Sequence, residues 1–212
     1  MIETAIDTSA ELAKKKGAFK ECNPEEIIST PFFQQLQNGT LKEKILTYGL
    51  RNSQLLTIAP TGTLSTMLGV SGGIEPIYAN YYTRKTESLH GEDRYYKVYT
   101  PIVKAFMEEH HLTNDTELPN FFVTAATISY KNRIAMQSTW QSFIDASISS
   151  TINVPENFTM DQVEYLYQYA YQKGLKGVTI FRDNCKRIGV LTTFRKTERL
   201  VPNSRKVLGT LD

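Results

Sequence analysis

SSTINVPENFTMDQVEYLYQYAYQKGLKGVTIF, residues 149–181, decides the fold. β-branched and apolar residues crowd Ser149–Val154 and again Gly177–Phe181, which predicts two strands. Between them Thr159-Met160-Asp161-Gln162 has the form of a capping box. A hydroxyl at the cap and an amide three residues later can satisfy each other's backbone N–H groups. The box opens a helix of about fifteen residues, spanning Asp161–Lys173 and stopped by Gly174. Strand, helix and strand in this order make a βαβ unit, so the strands are expected parallel and the class α/β.

Working outward, Arg133–Ile144 reads as a helix with apolar positions at Ile134, Trp140, Phe143 and Ile144. Thr100-Pro101 opens a helix reaching about His110, and Tyr78–Thr83 reads as a strand or extended wall. Near the start, Ile2, Ala5, Ile6, Ala10 and Ala13 fall at helical spacing, with Gly17 as the stop. Lys14-Lys15-Lys16 then suits the negative end of that helix. This helix begins with no lead-in, which suggests a chain cut from something longer. Asn23-Pro24-Glu25-Glu26 is a further helix start, and Thr40-Leu41-Lys42-Glu43 reads as a second capping box with its helix ending near Gly49.

Gln54–Ala59 reads as a strand that stops abruptly at Pro60-Thr61-Gly62-Thr63 and passes through Leu64 and Ser65 into a helix. Such a turn gathers backbone N–H groups, hydroxyls and the positive end of a helix, so its natural guest is a phosphate. Gly62, lacking a Cβ, lets an oxyanion come close. The rival is an ordinary strand-to-helix connection with a Thr cap. A second glycine-rich turn follows at Gly72-Gly73-Ile74-Glu75-Pro76.

The chain has 212 residues, a formal net charge of +2 and 41% hydrophobic residues. That suffices for a core and exerts no strong pull toward nucleic acid or membrane. Two distant cysteines, Cys22 and Cys185, make neither a disulfide framework nor a zinc pattern, and a reducing, cytoplasmic setting fits. No metal-ligand spacing is present among His90, His110 and His111.

Four segments in fixed order carry a resemblance: IAPTGTLS, GVSGGIEPIYANYYTRK, MQSTWQSFIDASISSTINVP and KGVTIFRDNCKRIGVL. ETAIDTSAELAKKKGAF and YGLRNSQLLTIAPTGT join them. Together they resemble the C-terminal part of the catalytic barrel of ribonucleotide reductases, most closely the adenosylcobalamin-dependent branch. The resemblance implies a ten-stranded α/β barrel, with residues 1–194 as its C-terminal part and 195–212 as a polar, loose tail. It implies loss of the ribose 2′-hydroxyl by a route in which a cysteine thiyl radical takes the 3′ hydrogen, a carboxylate acts as base and a cysteine pair supplies electrons. Cobalamin would start the radical. By the same resemblance, Pro60, Thr61, Gly62, Thr63, Leu64 and Ser65 hold the substrate's phosphates. Gly73, Ile74, Glu75 and Pro76 match a barrel-end segment near the site, with Glu75 structural.

The chain departs from the family pattern. It has no Asn-x-Cys-x-Glu loop and no Cys-x-x-Cys tail, so the redox residues are expected on an N-terminal part or separate subunit. Ile180 and Phe181 stand where the iron-dependent branch carries a tyrosine pair, which favours a cobalamin-made radical. Expected partners are a ribonucleoside di- or triphosphate, that radical-bearing part, and a second copy of this chain. The rival function is a noncatalytic nucleotide-phosphate-binding or structural subunit that completes a partner's barrel.

Overall fold

The computed structural model describes residues 1–36, 38–86 and 94–185; the expected tail 195–212 and His90 lie outside them. α1 (Ile2–Lys16) ends as expected at Gly17, whose φ of 81° only glycine adopts freely, with the three lysines in the last turn. α2 (Pro24–Ser29) starts at Asn23, whose side chain accepts from the Glu26 N–H. The one-turn α3 (Pro31–Gln34), capped by Thr30, is additional to the sequence expectation. α4 (Gly39–Tyr48) starts earlier than expected: Asn38 accepts from the Leu41 N–H at 3.2 Å, which places Thr40 inside the first turn rather than at the cap. These helices close over Ile6, Ala10, Phe33, Leu36, Leu41, Ile45 and Leu50.

The βαβ unit has the expected form. β3 (Thr151–Val154) and β4 (Thr179–Arg182) pair in parallel, Ile152 opposite Ile180. α8 (Met160–Gln172) joins them, opened by a complete Thr159–Gln162 capping box. Its apolar side packs Leu166 and Ala170 onto Ile152, Val154, Phe158 and Ile134, a second core.

Gln54–Ala59 is not a regular strand. Only Ile58 forms a bridge, parallel to Ile148. A carboxylate replaces the ladder upstream: Asp145 accepts the N–H groups of Leu55 and Leu56, both at 2.7 Å. The segment still borders the sheet. The Ser149 N–H donates to the Ile58 carbonyl, whereas the next residue, Ser150, accepts from Thr179. Adjacent residues of a strand bond toward opposite edges. The chain from Ala146 to Val154 therefore runs centrally, with 56–58 on one side and β4 on the other. The described residues hold this slice of parallel sheet and not a closed barrel.

In chain order, α5 (Gly62–Leu68), a hairpin of β1 (Tyr81–Thr86) and β2 (Arg94–Tyr99), and α6 (Pro101–Glu109) come between the segments that build the two cores. The expected strand at Tyr78 starts three residues later. Its antiparallel partner, Tyr81 opposite Tyr99, carries no turn signal that sequence reasoning used.

α7 (Tyr130–Gln141) corrects the expected core. Ile134 and Ile144 are buried, but Trp140 and Phe143 are 42% and 54% exposed. The buried stripe is polar instead: Arg133, Gln137 and Gln141, each four residues apart and so on one face. Gln137 Nε2 donates to the carbonyls of Gly177 (2.9 Å) and Ile148 (3.4 Å). Gln141 Nε2 donates to Ile144 (2.8 Å) and Ala146 (2.9 Å). Backbone carbonyls outside the ladder need donors when buried, and long amide side chains supply them.

Candidate functional site

The Pro60 turn exists because the chain leaves the sheet there. In a parallel ladder that has placed the Ser149 N–H on Ile58, the next acceptor for Thr151 would be the Pro60 carbonyl. That carbonyl is engaged instead by the Gly62 N–H at 2.7 Å, within a tight turn. α5 follows immediately. Its N-cap, Thr61, gives no side-chain cap to the first turn; the Gly62 N–H is spent on Pro60, so the N–H groups of Thr63 and Leu64, which no helix bonds internally, are the ones left for an acceptor.

Thr61 uses its hydroxyl elsewhere: Oγ1 accepts from the Gly73 N–H at 3.1 Å. Gly72 and Gly73 lie tight against the first turn. A Cβ on Gly72 would meet Ser65 Oγ at 2.8 Å, and one on Gly73, at φ +57°, would meet the Ala59 carbonyl at 2.8 Å. The two glycine-rich turns, separate in sequence, thus form one structure. A Cβ on Gly62, by contrast, would meet nothing within 4 Å.

The expected site residues divide by exposure. Pro60, Thr61, Gly62, Thr63 and Leu64 are exposed. Ser65 is buried and its hydroxyl donates to the Gly62 carbonyl at 2.8 Å, so it braces the turn from beneath. Ile74, Glu75 and Pro76 are half-buried. Glu75 Oε1 accepts the Thr151 N–H, taking the place on the sheet edge that Pro60 vacates. The same oxygen lies 3.6 Å from Nη2 of Arg133, whose side chain is 3% exposed. Burial pushes the Arg133 guanidinium pKa down and Glu75 opposes that; the group stays charged. Past Pro76, burial raises the Tyr78 phenol pKa, with the Asp183 carboxylate at the end of β4 adding to the shift. Sequence reasoning missed Arg133; the four-residue spacing of Arg133, Gln137 and Gln141 was the available signal.

Cys22 lies apart from this site. Cys22 Sγ accepts the Leu50 N–H at 3.4 Å beside Gly49, between the helices of the first core. Cys185 follows β4. Two cavities, of about 430 Å³ lined by α1 with Asn52 and Leu55, and about 570 Å³ between α1 and α4, touch neither turn. Among the described residues no cluster could hold a metal ion, and no helix is long and apolar enough to cross a membrane.

Residues 1–181 match the family described as "Ribonucleotide reductase, barrel domain". The chain belongs to this family. It is 32% identical to a vitamin B12-dependent ribonucleoside-diphosphate reductase of Thermoplasma acidophilum over 75% of its length, covering 22% of that protein. A Mycobacterium tuberculosis protein of the same description is 30% identical over 68% of the chain, which covers 23% of it. A ribonucleoside-diphosphate reductase subunit alpha of Helicobacter pylori is 29% identical over 87%, with 24% of its length covered. The chain thus spans about a quarter of the length of these relatives. Its fold matches the Actinobacillus ureae class Id ribonucleotide reductase alpha subunit with a TM-score of 0.59 at 23% identity, over 86% of this chain and 32% of that one.

Proposed function

We propose that this chain is the C-terminal portion of the ten-stranded barrel of a ribonucleotide reductase. Its Pro60–Thr63 turn, backed by Gly72–Gly73, would hold the phosphates of a ribonucleoside di- or triphosphate. The observation that carries this reading is the Thr61–Gly73 hydrogen bond, which fuses two exposed glycine-rich turns where a strand leaves the sheet. Phosphate oxygens would accept from the N–H groups of Thr63 and Leu64 and from the Thr63 hydroxyl, while bare Gly62 allows close approach. The chain contributes binding and orientation; holding the ribose fixed against the reacting groups is itself a large share of such catalysis.

The reacting cysteines would come from an N-terminal part or a separate subunit, because the route needs a thiyl cysteine and a reducing pair, whereas this chain has two cysteines, of which Cys22 is packed among the helices of the first core. Adenosylcobalamin, when bound in the complete enzyme, would supply the initiating radical; two of the relatives named above are described as vitamin B12-dependent. Ile180 and Phe181, in the places of a tyrosine relay, favour the same branch. Beside the turns α5 presents an open apolar face, Leu64, Met67, Leu68 and Val70. That face needs a cover, which the rest of the barrel, or a second copy, would provide.

The test is Gly62→Val in the assembled enzyme. The open space around Gly62 predicts a folded protein, with a side chain standing where phosphate would sit. Nucleotide affinity measured by calorimetry should fall at least about tenfold, the equivalent of one lost charge-assisted hydrogen bond. Unchanged affinity in a folded variant would exclude the phosphate reading.

A further inference from the structure

We propose that Glu75 and Arg133 form a latch that holds the Gly72–Glu75 loop against the Pro60–Thr63 turn, acting as positioning residues. As a feature of the phosphate site, the latch rests on the reading of that turn given above.

Glu75 Oε1 joins two elements. It accepts the Thr151 N–H on the edge of the central strand and faces Nη2 of Arg133 at 3.6 Å. Neither Nη1 nor Nη2 of Arg133 has a hydrogen-bond partner, although both are buried. Among the described residues Glu75 is the carboxylate paired with this guanidinium. A buried cation without a counter-charge is strongly unfavourable, so the carboxylate is held at this position rather than merely resting there. The anchor is rigid, because Gln137 and Gln141, one and two turns along the same face, tie α7 to carbonyls at the start of the parallel strands.

The loop is too short to absorb movement at Glu75. Two residues earlier Gly73 donates to Thr61 and lies where an added Cβ would meet the Ala59 carbonyl. Displacing Glu75 therefore displaces the Gly73 N–H from Thr61 Oγ1. Position is transmitted from a buried arginine on α7, through one carboxylate, to the exposed turn. Such supporting contacts set the precision of a binding site without touching the ligand.

The experiment compares Glu75→Ala, Glu75→Gln and Arg133→Met in the assembled enzyme. Exchange of the backbone amides in residues 70–77 is followed by mass spectrometry, and KM and kcat are measured with cytidine diphosphate. Glu75→Ala should speed exchange in this segment about tenfold, as loss of a charge-assisted contact implies. Glu75→Gln keeps an oxygen for Thr151 but loses the ion pair, and should give a smaller increase. Arg133→Met should resemble it, and the Glu75→Gln/Arg133→Met pair should be no worse than either alone. KM should rise while kcat stays within about twofold. Unchanged exchange in 70–77 overturns the latch, and so does faster exchange spread over the whole chain. Faster local exchange with unchanged KM upholds the latch and overturns the phosphate reading.

Discussion

The Thr61 hydroxyl accepts a hydrogen bond from the backbone N–H of Gly73 at 3.1 Å. Turned toward a distant loop, this cap residue makes no side-chain bond to its own helix, and α5 begins without a side-chain cap. The open helix start and the docked glycine loop are two results of one choice by one hydroxyl.

Thr61→Val keeps the shape and removes the acceptor. The Gly73 N–H would then rely on water, at a cost of about 1 kcal/mol. Calorimetry on the assembled enzyme should show nucleotide affinity falling by about fivefold with little change in melting temperature. Thr61→Ser should behave as the native protein, and a loss in Thr61→Ser with none in Thr61→Val would show that the methyl group, not the hydroxyl, matters.

The two loop glycines should differ in tolerance. Gly73→Ala forces a left-handed residue to carry a Cβ and drives it into a backbone carbonyl, costing about 2 kcal/mol. In Gly72→Ala the one contact under 3 Å is with the hydroxyl of Ser65, which can rotate away at the loss of its bond to Gly62. Urea denaturation should rank Gly73→Ala well below Gly72→Ala.

Gln137→Leu should destabilise by about 2 kcal/mol, because the Gly177 and Ile148 carbonyls lose a buried donor. Trp140→Ala on the same helix should change stability by only about 0.5 kcal/mol, its ring being largely in solvent. Melting both variants tests whether the polar stripe, rather than the aromatic one, holds α7 to the sheet.

The hairpin should be acid-sensitive through Asp115. Burial alone would raise its pKa, but hydrogen bonds from Lys97 Nζ (2.7 Å), its own backbone and Tyr99 outweigh that and lower it. Lys97 is raised by the same pair, its hydrogen bond to Asp115 first. A lowered carboxylate pKa means the folded state binds fewer protons than the unfolded one. Its contribution is therefore complete above the ordinary carboxylate range near about pH 4 and is lost as pH falls through the lowered value. Stability measured against pH should fall less steeply below about pH 4 in Asp115→Asn than in the native chain. Identical slopes would show that Asp115 does not carry the effect.

The amino-acid sequence by itself determined what local chemistry decides. Gly17 and Gly49 stop helices because they adopt positive φ, Asn23 and Thr159 start them because their side chains reach the first-turn N–H groups, and alternation of strand and helix signals made the βαβ unit legible. The Pro60 and Gly73 turns were visible as separate glycine-rich motifs. Only the tertiary structure joined them, because a hydrogen bond between Thr61 and Gly73 depends on where the chain returns after twelve residues. Tertiary contacts likewise decided that Asp145 replaces a strand partner for Leu55 and Leu56, and that Arg133, Gln137 and Gln141 are buried while Trp140 and Phe143 face outward. Hydrophobicity favours the opposite arrangement. It loses here because carbonyls outside the sheet ladder, and a carboxylate on the sheet edge, need buried donors, and that need is set by partners distant in sequence.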